Sequence, residues 1–196
     1  MITRYLFILI FFIGGKTFLS AQATVDPAIQ VRFDSFIHYS NLGQWEKAFN
    51  LIYPKLFSVV SRQEMVQMMR DMEAGLDIRM EKTKITEASA PVKEGNETFV
   101  RLTYTTQIAM SIEKGGVYDA PKPIQAIGDQ LKATYGGRSV QWDANAKQYN
   151  IISTKDMMAI KSDDADWYLI EINLEQPGLM ESLFPATIMD QLVRKE

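Results

Sequence analysis

His38 is the single histidine of this 196-residue chain and there is no cysteine, which removes multi-histidine metal sites, histidine triads and thiol chemistry from consideration. Asp34 precedes His38 by four residues, a spacing that lets the two side chains meet on one helix face. An imidazole oriented by a carboxylate could act as a general base. The apolar stripe of the same segment, Ile29, Phe33, Phe36 and Ile37, argues against that role. At about 100° per residue His38 falls about 140° from Phe33, on the side away from the stripe. The spacing therefore predicts a solvent-exposed pair.

Met65, Met68, Met69 and Met72 place three thioethers on one helical face, and soft sulfur ligands suit Cu(I). Methionine also fills irregular cores, and with no cysteine or histidine nearby in sequence, core packing is the expectation. Asp163, Asp164 and Asp166 form an acidic group of the kind calcium uses, but the spacing is not that of an EF-hand loop, and a polar turn is expected instead. Asn96-Glu97-Thr98 is formally a glycosylation sequon, a weak match because the N-terminal segment looks like a bacterial signal peptide. Gly-rich phosphate loops and a Gly-x-Ser-x-Gly elbow are absent. The chain thus assigns no catalytic residue, no metal and no cofactor.

What remains is a pattern. From Glu97 to Glu113, Val100, Leu102, Tyr104, Ile108, Met110 and Ile112 recur at every second residue, broken only by Thr106, while Arg101, Thr103, Thr105, Gln107 and Ser111 alternate with them. A period of two marks a half-buried strand, here long enough to require curvature or a bulge. Tyr104 and Met110 on its apolar side, with Trp142, Trp167 and Tyr168 from later strands, are the candidate lining of a ligand pocket. The same aromatics could fill the interior, and a domain of this size needs large side chains for its core. Filling is the favoured expectation, and any pocket should be greasy.

Several elements must position these residues. Asp26 and Pro27 announce a first helix over Ala28 to Tyr39. Leu42, Trp45, Ala48, Phe49 and Ile52 repeat the stripe in a second, which Pro54 should end near Tyr53. Ser61 and Glu64 have capping-box spacing before the methionine helix, and Gly75 can close it. Leu76 to Ala90 reads as a strand that changes phase, so a bulge is expected between Glu81 and Lys84. Glu94-Gly95-Asn96 then turns the chain into the long strand as an antiparallel hairpin. Pro121, Ile124, Ile127 and Leu131 predict an inserted helix ending at Gly136-Gly137. Four short strands follow, Ser139 to Trp142, Tyr149 to Ser153, Met157 to Ile160 and a doubly covered central strand Trp167 to Ile172. Short helices split by Pro185 end the chain.

Arg4, the apolar run Tyr5 to Ile13 and the small residues Ser20 to Ala23 read as a secretory signal peptide over residues 1–23, leaving 24–196 as one domain. Gly14, Gly15 and Lys16 interrupt the run too early for a membrane span. Loss of Arg4 and Lys16 leaves 19 basic against 24 acidic residues, a net charge of −5, which gives no reason to expect nucleic acid or anionic lipid as partner. The expected location is periplasmic or secreted, with no membrane span after cleavage.

Three helices, a long hairpin and a further antiparallel meander with an inserted helix make an α+β order. The helix Ala28 to Tyr39, the segment Asn41-Leu42-Gly43-Gln44-Trp45 to Tyr53-Pro54, the strand Glu97 to Glu113 and the strand Asp166 to Ile172 together resemble the nuclear-transport-factor-two-like, cystatin-like cone superfamily. The resemblance covers most of the mature chain and rests on element order. It implies N-terminal helices packed into a strongly curved antiparallel sheet, and it admits both enzymes and domains without chemistry. The reading it leaves is an exported, non-enzymatic binding or accessory domain for a small apolar ligand or an envelope protein, with a homodimer left open. The alternative is a cofactor-free lyase or isomerase using a buried carboxylate or tyrosine.

Overall fold

The computed structural model describes residues 25–162 and 166–194. The expected signal peptide and Asp163 and Asp164 lie outside these. Helix α1 (Pro27–Asn41) begins where its cap predicts, with the Asp26 carboxylate accepting from the Ala28 N–H at 2.8 Å. Helix α3 (Arg62–Glu73) begins on Ser61, whose hydroxyl accepts from the Glu64 N–H. Between them the expected second helix is shorter, α2 (Trp45–Phe49), followed by a 3₁₀ turn at Pro54–Ser58. The correction has a clear cause. Leu51 C=O accepts from Leu169 N–H at 2.8 Å and Tyr53 N–H donates to Leu169 C=O at 2.9 Å, so this backbone is spent on a parallel bridge to a strand instead of on a helix.

The sheet is antiparallel. Strand β1 (Leu76–Ala88) pairs with β3 (Glu97–Ile112), as does the short β2 (Val92–Glu94), while β5 (Gln148–Ser162) lies on the other side of β3. Beyond β5 sit β4 (Val140–Asp143) at one end and β6 (Tyr168–Glu171) at the other. The β3–β5 ladder runs without a slip from Glu97 opposite Ser162 to Ser111 opposite Gln148. The irregularity expected of so long a hairpin falls on β1, between Glu81 and Lys84 and again between Ile85 and Glu87. Lys82 takes a left-handed φ of 46° there. Just before that point the Asn41 side chain occupies the outer edge of β1, donating to Met80 C=O at 2.9 Å and accepting from Met80 N–H at 2.7 Å. Gly95, with φ 61°, makes the turn into β3.

Two further corrections concern the later strands. The segments expected as Tyr149 to Ser153 and Met157 to Ile160 are one fifteen-residue strand, because the polar Thr154, Lys155 and Asp156 between them stay in the ladder opposite Thr105, Tyr104 and Thr103. The expected central strand is β6, paired with β5 alone among the named strands, its other edge being met by the Leu51–Tyr53 bridge.

Helix α4 (Pro121–Tyr135), α5 (Pro177–Leu183), α6 (Ala186–Ile188) and a π-turn at Met189–Val193 complete the chain. Odd-numbered residues of β3 and even-numbered residues of β5 share one sheet face, the other parities the opposite one. On the first face Phe99, Met158, Ile160 and Ile170 are buried with α2, α3, α5, α6 and the π-turn. On the second, α1 packs Ile29 and Phe33 against Val100, Leu102, Tyr104, Met157 and Leu169, and α4 packs Leu131 and Tyr135 against Ile108, Ile112 and Ile151. Gly128 is required for that second contact. A Cβ there would stand 2.4 Å from the Tyr149 hydroxyl, which donates to Ile124 C=O.

Candidate functional site

The two clusters under α1 and α4 meet at a polar seam. Thr106, the one break in the apolar alternation of β3, lies directly opposite Ser153, and both are buried. One pair further along, Tyr104 faces Lys155. Glu171, carried to the same face by the pairing of β6 with Met157, joins them: its Oε1 accepts from the Tyr104 hydroxyl at 2.6 Å and from Lys155 Nζ at 2.9 Å. The Lys155 side chain is 9% exposed and that of Glu171 34%. The hydroxyls of Thr83 and Thr106 lie 2.7 Å apart. Tyr135, from the last turn of α4, is buried close enough to Lys155 and Glu171 to feel their charges.

Electrostatics define what this seam can do. Burial alone would lower the pKa of Lys155, but the Glu171 charge, Tyr135 and the hydrogen bond to Glu171 together hold it above its ordinary value. Burial first, then the charge and hydrogen bond of Glu171, push Tyr104 well above the usual phenol range. Tyr135 is raised chiefly by burial. A lysine acting as nucleophile or base needs a depressed pKa, and this one moves the other way. Tyr104 and Lys155 both donate to Glu171, and the Glu171 charge favours the protonated form of each.

On the opposite face at the same level, Arg101 Nη2 donates to Asp156 Oδ2 and Thr103 Oγ1 to Asp156 Oδ1, both at 2.6 Å. Arg101 Nη1 donates to Leu192 C=O at 2.9 Å, so one guanidinium ties the middle of the sheet to the C-terminal segment. Beyond Arg101 this face changes character. Thr105, Gln107 and Ser111 on β3 and Asn150 on β5 are half-buried, Ile152 and Thr154 on β5 and Arg79 and Glu81 on β1 are exposed, and Ala109 on β3 is buried. Ile152 is 64% exposed there.

The five residues proposed from sequence are not all brought to one place. Tyr104 and Trp167 lie in the cluster under α1, and Met110 packs at the edge of the α4 cluster. Trp142 is partly exposed on β4, its ring 4.5 Å from that of Tyr149. Tyr168 points to the other face, against the helical cluster and beneath the Arg32 guanidinium. Open concavities of about 450 and 460 Å³ lie elsewhere, one between α2 and α3 around Val66 and one around Leu76 and Ile112. Asp34 accepts a hydrogen bond from Gln30 at 2.8 Å while His38 is exposed. Of the four methionines, Met69 is buried and Met65 and Met68 pack against the helical core. Asp166 is exposed, 3.6 Å from Arg32. Among the described residues, no group of three or more His, Cys, Asp or Glu side chains could hold a metal ion, and no helix is long and apolar enough to cross a membrane.

Sequence reasoning missed Lys155, Glu171 and Tyr135. The available signal was the Thr106 interruption, which becomes informative once Ser153 is placed opposite it.

No protein-family model and no curated protein matches the chain.

Proposed function

We propose that this chain is an exported, non-enzymatic binding or accessory domain of the nuclear-transport-factor-two-like, cone-shaped type, and that it engages an envelope protein through the uncovered half of its sheet. The observation that carries the reading is the contrast between the two faces around Gln107 and Ile152. One face is packed beneath α4; the other presents a largely polar surface that includes an exposed isoleucine. A small apolar ligand is less well supported, because Tyr104 and Trp167 are packed with Phe33, Leu102 and Leu169, and the inner seam is polar. The lyase or isomerase alternative has a buried tyrosine and a carboxylate in contact, but Tyr104 and Lys155 both already donate to Glu171, and neither lines the two open concavities.

The test is site-specific photo-crosslinking in the native envelope, with the probe placed at Ile152, at its half-buried ladder partner Gln107 and, as controls, at Val31 and Val117, which like Ile152 are exposed. A discrete adduct from Ile152 and Gln107 and none from the controls supports the reading. Equal labelling at all four positions overturns it.

A further inference from the structure

We draw no further inference here: the strongest candidate, the Tyr104, Glu171 and Lys155 cluster at the seam between α1 and α4, belongs to the site already described.

Discussion

The two ends of β3 are built from one alternation and used differently. At the end near Phe99 both parities are buried, Phe99 beneath the C-terminal helices and Val100 beneath α1, at 0% and 5% exposure. At the end near Ser111 the even parity is capped by α4, while on the odd parity Ala109 is buried and Thr105, Gln107 and Ser111 are half-buried. The odd parity turns from apolar at Phe99 to Arg101, Thr103, Thr105 and Gln107, and the helical cover stops where that turn occurs. Arg101 stands at the boundary and holds the last covering segment by its Leu192 carbonyl. A strand that is apolar on one side except at Thr106, and mostly polar on the other beyond Phe99, therefore reports both what covers it and where the cover thins.

The comparison is most exposed to test by truncation at its two ends. Phe99→Ala should cost about 3–5 kcal/mol, the range for a fully buried aromatic, whereas Ile152→Ala should stay within about 0.5 kcal/mol. Chemical denaturation measures both, and similar losses would show that the uncovered half is a core. Next in size is the seam. Lys155→Met leaves Glu171 facing an apolar group and should cost about 2–3 kcal/mol, below the range for a fully dry pair because Glu171 is partly exposed. Adding Glu171→Leu should recover much of the loss, and a strictly additive double variant would mean that the two side chains do not act as a pair.

Alkaline pH addresses the same seam. Lys155, Tyr104 and Tyr135 all have folded pKa values above their unfolded ones. Their contribution is complete below the unfolded values near 10 and is lost as pH rises through the folded ones. Thermal melts between pH 8 and 12 should fall steeply above pH 10 for the natural chain, and less steeply for Tyr104→Phe. A smaller effect is expected at the boundary. Arg101→Lys keeps the charge but loses the fork that serves Asp156 and Leu192 together, at a cost of about 1 kcal/mol. Hydrogen exchange should then quicken in residues 177–193 and not in α1. Smallest in stability is Ile152→Asp, which should leave the melting temperature within a degree or two and abolish the crosslink from Gln107.

The elements that could be read from sequence were those whose signals are local. Asp26, Ser61 and Gly95 act on neighbours within three residues, and each did so where expected. The α+β class and the limits of the long strand followed from periodicity. The errors share a different origin. Thr154-Lys155-Asp156 looked like a break because three polar residues usually end a strand, yet two of them are satisfied by groups far along the chain, Lys155 by Glu171 and Asp156 by Arg101 and Thr103, and Thr154 is exposed. The Leu42 to Tyr53 segment has a helical stripe, but its last residues are claimed by Leu169. The candidate seam was hidden for the same reason, since Tyr104 and Glu171 are brought together across β5 by two ladders.

The Asn41 side chain has a bearing on colloidal behaviour. A thirteen-residue outer strand is long enough to template a foreign chain, and a flat unpaired edge of that kind is where aggregation begins. Here one amide group takes both the donor and the acceptor of Met80, and the left-handed kink at Lys82 immediately after it turns the next stretch out of register and sets a charge on it. An invading strand would find its first rung filled and its second misaligned. We predict that this edge cap slows the growth of the sheet into fibrils, so Asn41→Ala should be detected first in the rate of amyloid-dye binding during storage, before any change in melting.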